Sequence, residues 1–200
     1  MTILAIGDSI TSGNPEFRSP AEVPPDGEGN PKSQYAYWMM QKHPEWHVIN
    51  RGIGGQRTEH ILSRLESELD ASKPDIVIIM AGVNDLYFGY PSIIPIANLR
   101  RMYEITQTRN LKTVVCTVLP YDSAGDRVNQ RLAELSQWIL SYSKERGLIY
   151  CDTFSVLNDP ARPFHLIESN GMHPTPKGYR QLGEAIADAL EQSGILVQIN

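Results

Sequence analysis

Ser9 stands where a nucleophile is useful. It lies in Ile6-Gly7-Asp8-Ser9-Ile10-Thr11-Ser12-Gly13, directly after the short apolar run Ile3-Leu4-Ala5-Ile6. An apolar run that gives way to turn formers reads as a buried strand ending at Gly7. Open α/β sheets carry their chemistry just past the carboxyl ends of their strands. A serine hydroxyl is a poor nucleophile near neutral pH and needs a base within hydrogen-bond reach, most often histidine. Of the five histidines, His43, His47, His60 and His165 have ordinary surface or core surroundings. His173, in Asn170-Gly171-Met172-His173-Pro174, follows the last apolar strand and is the candidate base. Attack on a carbonyl builds negative charge on oxygen, which needs preorganised donors. Gly55 can offer a backbone N–H that substrate approaches closely, since it has no Cβ. Asn84 can offer its side-chain NH₂, and the backbone N–H of Ser9 is a third donor. The pattern fits nucleophilic acyl transfer.

These residues are far apart in the chain, so the elements between them must bring them together. Five apolar segments read as strands: 3–6, 47–50, 75–80, 112–118 and 148–151. Asp75-Ile76-Val77-Ile78-Ile79-Met80 is the strongest, continuously apolar as expected when helices cover both faces of a sheet. Helical spacing joins Ile61, Leu62, Leu65 and Leu69, then Val128, Leu132, Leu135 and Ile139, then Tyr179, Leu182, Ile186 and Leu190. A helix opens at Tyr35 and is closed by Pro44. Another runs from a Ser92 cap to about Arg109, with Pro95 tolerated in its first turn. Gly147 and Gly194 close two of these helices. Residues 14–33 read as a long loop near the Ser9 turn, 81–85 as a turn, and 153–175 as a loop.

Strands alternating with helices make βαβ units and a parallel sheet with helices on both faces. Right-handed crossovers leave few windings. The simplest is a three-layer α/β/α, flavodoxin-like sandwich with a five-stranded parallel sheet in the order 2-1-3-4-5. Residues 1–200 are expected to form one domain, which suits the length. In that sheet the turns carrying Ser9, Gly54-Gly55 and Asn84 share one edge with the His173 loop.

The bulk composition removes several function classes. Hydrophobic residues make up 41% and charged residues 20%, so the chain resembles an ordinary soluble protein. A net charge of −5, without any Lys/Arg run, argues against nucleic acid as a partner. No apolar run approaches the ~20 residues that span a bilayer, so no membrane partner is expected. Cys116 and Cys151 lie in expected strands and read as free core thiols without metal or redox spacing. The amino terminus enters a strand at once, unlike a signal peptide. A cytoplasmic enzyme is the expectation, although a secreted protein trimmed to its mature start looks the same.

Gly7-Asp8-Ser9-Ile10, Asn50-Arg51-Gly52-Ile53-Gly54-Gly55, Gly82-Val83-Asn84-Asp85 and Gly171-Met172-His173-Pro174 together resemble the four conserved blocks of the SGNH (GDSL) hydrolases. Order, strand-end placement and spacing match across nearly the whole chain. The resemblance implies hydrolysis of a carboxylic ester or thioester through an acyl-serine intermediate, without metal or cofactor. It implies Ser9 as nucleophile, Gly55 and Asn84 as oxyanion donors beside the Ser9 N–H, and His173 as base. Gly55 rather than Gly54 is chosen because it is the last glycine before the polar Gln56-Arg57-Thr58.

One position departs from the family pattern. The family usually carries Asp three residues before its catalytic His, to orient the ring, and here that position is Asn170. An amide oxygen can accept the Nδ1–H bond but brings no charge. Either Asn170 leaves a weaker Ser-His pair, natural or introduced, or Glu168 or Asp152 fills the role. Tyr87, Phe88 and Tyr90 are expected to wall a modest cleft for small or short acyl groups on a small-molecule ester. The alternative is a weakened relative that binds a carbohydrate or lipid in the same cleft. A nucleotide- or flavin-binding domain fits poorly, because GxxxxGK[ST] and GxGxxG are absent and His173 is left without a role.

Overall fold

The computed structural model describes residues 1–18, 20, 24–120, 125–158, 161–162 and 164–194. Residues 19 and 21–23 of the expected 14–33 loop, and 159, 160 and 163 of the expected 153–175 loop, lie outside them. Five strands, β1 (Thr2–Gly7), β2 (His47–Gly52), β3 (Ile76–Met80), β4 (Lys112–Cys116) and β5 (Ile149–Cys151), form one sheet in the order β2-β1-β3-β4-β5. Every pairing is parallel. This is the expected order.

Successive strand residues point to opposite faces, and the sheet therefore builds two cores. Ile3, Ala5, Ile76 and Ile78 pack with α2 (Tyr35–Lys42) and α8 (Pro176–Gln192). Leu4, Ile6, Val77 and Ile79 pack with α3 (Thr58–Ser72), α5 (Ile93–Thr108) and α6 (Asp126–Arg146). Burial on both faces is why β1 and β3 read as unbroken apolar runs. Gly147 closes α6 in the left-handed conformation, with φ +64°. Thr175 caps α8, its Oγ1 accepting from the Gly178 N–H at 3.1 Å, with Pro176 at the first helical position.

Several expectations are corrected. The opening turn folds as one helical turn, α1 (Ser9–Ser12). The expected turn at 81–85 continues as α4 (Val83–Tyr87), and the 153–175 loop opens with α7 (Thr153–Leu157). Elements of four or five residues are too short to show a 3.6-residue period. Ser92 does not cap α5: its backbone is already helical, and its hydroxyl binds Glu134 Oε2 at 2.5 Å. A cap needs extended φ/ψ. β4 stops at Cys116 rather than Val118, because its partner β5 ends there, at the pairing Cys116–Cys151. Both thiols are buried and free, as expected.

The register sets up the site. Gly7, the last residue of β1, pairs with Gly52 on one side and Met80 on the other. The three strands that precede the chemistry-bearing turns therefore end level with one another.

Candidate active site

The turn after β1 is fixed by its own polar groups. Asp8 caps α1, Oδ1 accepting from the Ile10 N–H at 2.9 Å. The Asp8 carbonyl accepts from the N–H groups of Thr11 and Ser12 at 3.1 and 3.0 Å. Ser9 is thereby the first residue of the helix, where an N–H has no intrahelical acceptor. Two glycines make this tight geometry possible. A Cβ on Gly7 would lie 2.2 Å from Thr11 Oγ1 and 2.4 Å from Met80 O, and one on Gly52 would lie 2.0 Å from Ser12 N. Asp8 is buried, and desolvation, with Asp85 nearby, pushes its carboxyl up to about 7.

The turn after β2 lies against the same strand end. The Ile53 N–H donates to Gly7 O at 3.1 Å, and the Gln56 N–H returns to Ile53 O at 3.3 Å. Gly55, at φ +74°, takes the third position of this four-residue turn, where type II geometry needs a positive φ. Gly54 and Gly55 both line the cleft above Ser9. Asn84, nearly fully buried on α4, donates one Nδ2 hydrogen to Gln56 O at 2.9 Å. That bond orients the amide and leaves its second hydrogen for another acceptor. Next to it, Asp85 accepts from the N–H and hydroxyl of Thr58 at 2.9 and 2.7 Å, which docks the start of α3 on α4. Burial raises the Asp85 carboxyl above its usual range.

His173 arrives on a short doubled-back loop. Thr175 N–H donates to Leu166 O at 2.8 Å, Glu168 N–H to His173 O at 2.7 Å, and Gly171 N–H to Glu168 O at 2.9 Å. The His173 Nε2 then lies 2.9 Å from Ser9 Oγ, between residues 164 apart in the chain. With the ring proton on Nδ1, Nε2 accepts the serine hydroxyl hydrogen. Desolvation holds the His173 pKa below its ordinary value, so the ring favours its neutral form.

Asn170 differs from the expected ring partner. Its Oδ1 accepts from the N–H groups of Met172 and His173, both at 3.0 Å, so it shapes the loop through the backbone. The His173 Nδ1 is buried without a hydrogen-bond partner. Neither alternative acid serves it. Asp152 caps α7 and binds Ser155 and Thr117. Glu168 meets His173 through the backbone bond alone.

The cleft around Ser9 has a volume of about 420 Å³. Ser9, Gly55, Asn84 and His173 all line it, and Asn170 does not. Tyr87 and Phe88 form its apolar wall as expected, joined by Met172. Tyr90 is absent from that lining and instead lies under the Arg57 guanidinium, 5.0 Å from the ring centroid. Ser12 of α1 and Asn14 and Glu16 of the 14–33 segment, a segment expected near the Ser9 turn, form a polar wall; the individual residues were not singled out, because that segment has no period to place its side chains. Gln56 was also missed as the group that aims Asn84, since its contribution is a backbone carbonyl. Among the described residues no group of three or more His, Cys, Asp or Glu is arranged to hold a metal, and no helix is long and apolar enough to cross a membrane.

A model of the GDSL-like lipase/acylhydrolase family matches residues 5–181. An arylesterase from Vibrio mimicus is 23% identical over 190 residues, spanning 94% of this chain and 87% of its own length. An acetylxylan esterase from Geobacillus stearothermophilus is 24% identical over 207 residues, spanning 92% of this chain and 90% of its own. The crystal structure of Axe2, an acetylxylan esterase from Geobacillus stearothermophilus, superposes with a TM-score of 0.77 at 23% identity, covering 94% of this chain and 93% of that one, a likeness of fold. The level strand ends, the Ser9–His173 contact and a family match over nearly the whole chain agree: this protein belongs to the GDSL-like lipase/acylhydrolase family and is an ester hydrolase of that type.

Proposed function

We propose that the protein cleaves carboxylic esters of small or short acyl groups through an acyl-serine intermediate formed on Ser9. The observation that carries this reading is the 2.9 Å contact between Ser9 Oγ and His173 Nε2 inside the cleft that Asn84 lines. Ser9 Oγ attacks the ester carbonyl carbon while His173 Nε2 takes its proton. The carbonyl oxygen becomes an oxyanion and is met by the N–H groups of Ser9 and Gly55 and by the free Nδ2 hydrogen of Asn84. Collapse breaks the bond to the alcohol oxygen, which leaves with the proton from His173. Water then repeats the sequence on the acyl-serine, again with His173 as base, and releases the carboxylic acid.

The short acyl preference is supported by the modest cleft and its mixed walls, apolar Tyr87, Phe88 and Met172 facing polar Ser12, Asn14 and Glu16. The two relatives named arylesterase and acetylxylan esterase point the same way. Ser9→Ala is expected to abolish hydrolysis of p-nitrophenyl acetate while circular dichroism and Tm stay at wild-type values. A fluorophosphonate probe is expected to label the wild type and not the variant. Unchanged turnover in Ser9→Ala refutes the mechanism. One observation favours a slower enzyme or a ligand-binding relative as the second reading: His173 Nδ1 has no acidic partner. Ligand binding without fluorophosphonate labelling of the wild type would establish it.

A further inference from the structure

Arg64 touches neither the cleft nor the reacting atoms, yet it joins the two turns that build the site. It lies on α3, with a side chain only 14% exposed. The Nε donates to Gln56 Oε1 at 2.8 Å, and Nη2 donates to Gly7 O at 3.0 Å. These are the two donors of one edge of the guanidinium, a planar fork that holds two acceptors in fixed relation. Gly7 immediately precedes Asp8 and Ser9. Gln56 is the residue whose own carbonyl receives Asn84 Nδ2 at 2.9 Å and which follows Gly55 directly. The remaining terminal nitrogen, Nη1, faces Glu68 Oε1 at a looser 3.4 Å.

We propose that Arg64 is a positioning residue for the oxyanion site: its guanidinium edge locks the Gln56 side chain to the Gly7 carbonyl, and so sets the Gly55 N–H and the Asn84 amide against Ser9. The proposal rests on the roles given above to Ser9, Gly55 and Asn84. Without Arg64, the Gly54-Gly55 turn keeps, among the described residues, one direct tie to β1 beyond the pairing of Gly7 with Gly52, the Ile53 N–H to Gly7 O bond. The Gln56 carbonyl that aims Asn84 is then free to rock. Oxyanion donors act through placement toward an atom position reached only in the transition state. A small rocking motion therefore lowers kcat more than it weakens substrate binding.

The test uses full-length protein with Arg64→Lys, Gln56→Ala, their combination, and Glu68→Gln as the control for charge. Lysine keeps the charge but cannot span both acceptors. On p-nitrophenyl acetate, Arg64→Lys is expected to lower kcat about 10-fold, less than the ~10²–10³ for outright loss of an oxyanion donor, with KM within twofold. Affinity for an arylboronic acid, a tetrahedral mimic held by Ser9, is expected to fall by the same factor. Gln56→Ala is expected to show a smaller loss of the same kind, and the double variant to be no worse than Arg64→Lys alone. Glu68→Gln is expected to stay within twofold of wild type. A lower Tm for Arg64→Lys with wild-type kcat and boronate affinity overturns the proposal, as do losses that multiply in the double variant. If Arg64→Lys does not fold, wild-type kcat and boronate affinity in Gln56→Ala overturn it. A wild-type protein that neither turns over the ester nor binds the boronate refutes the acyl-serine reading instead.

Discussion

Asn170→Asp is expected to make the enzyme faster and to move its pH profile. Asn170 Oδ1 already accepts the N–H groups of Met172 and His173, each at 3.0 Å, so an aspartate can keep the loop with one oxygen. Its second oxygen must then accept the Nδ1–H of His173, an atom buried and unpartnered in the present chain. That bond would fix the productive tautomer, and the new charge would stabilise the imidazolium formed when Ser9 gives up its proton. Two unit charges about 4 Å apart interact by about 1 kcal/mol in water and about 4 kcal/mol at a partly screened protein site. Asn170 is exposed while the ring is half-buried, which places the gain at about 2 kcal/mol. At 1.36 kcal/mol per decade, kcat should rise about 30-fold. The reverse change in the serine-protease template costs about 10⁴, which bounds the gain from above. The same interaction must raise the His173 pKa, which desolvation now holds low. Because the neutral ring is the base in the proposed mechanism, the acid limb of kcat/KM should shift upward by about 1.5 pH units. The assay is p-nitrophenyl acetate hydrolysis from pH 5 to 9 on both proteins. A variant within twofold of wild type at pH 8, with an unmoved acid limb, refutes the reasoning that an acid at position 170 reaches the His173 ring.

Other expected outcomes follow from contacts elsewhere in the site. Asn84→Ala removes a side-chain donor and should lower kcat by about 10²–10³ with little change in KM, read from steady-state kinetics. Gly52→Ala would force a Cβ to 2.0 Å from Ser12 N and should cost about 3 kcal/mol or more in urea unfolding, with activity falling as α1 shifts. The Asp8 carboxyl is raised to about 7 in the folded chain, against an ordinary value of 3.8. A carboxyl raised in this way binds its proton more tightly folded than unfolded, so stability falls as pH rises from about 4 to about 7. An asparagine at this position would keep the cap without the buried charge. Asp8→Asn should therefore gain stability relative to wild type across that window, by at most about 4 kcal/mol at its upper end, measured as Tm against pH.

The sequence made legible those features that depend on side-chain type repeated at a period or placed at a strand end. β3 was readable because a strand covered on both faces must be apolar throughout, and Ile76–Met80 is. Strand order followed from alternation and crossover handedness, and with it the convergence of the turns carrying Ser9, Gly55 and Asn84 beside His173. The one-turn helices α1, α4 and α7 were illegible, since four or five residues complete too little of a helical period to register. Asn170 is the more instructive case. Its type suggested a weakened ring partner, yet its oxygen serves two backbone N–H groups that any Asx turn can recruit. Gln56 is similar: its carbonyl aims Asn84, and a backbone carbonyl is present at every residue, so no residue type announces it. Candidate reacting groups can therefore be named from sequence, while the groups that aim them become visible only with the backbone in place. The proposed mechanism depends on both. Ser9 and His173 are within reach of each other at 2.9 Å, so in the proposed mechanism the attack is limited by whether the ring proton on Nδ1 finds an acceptor as charge develops. Nothing among the described side chains supplies one.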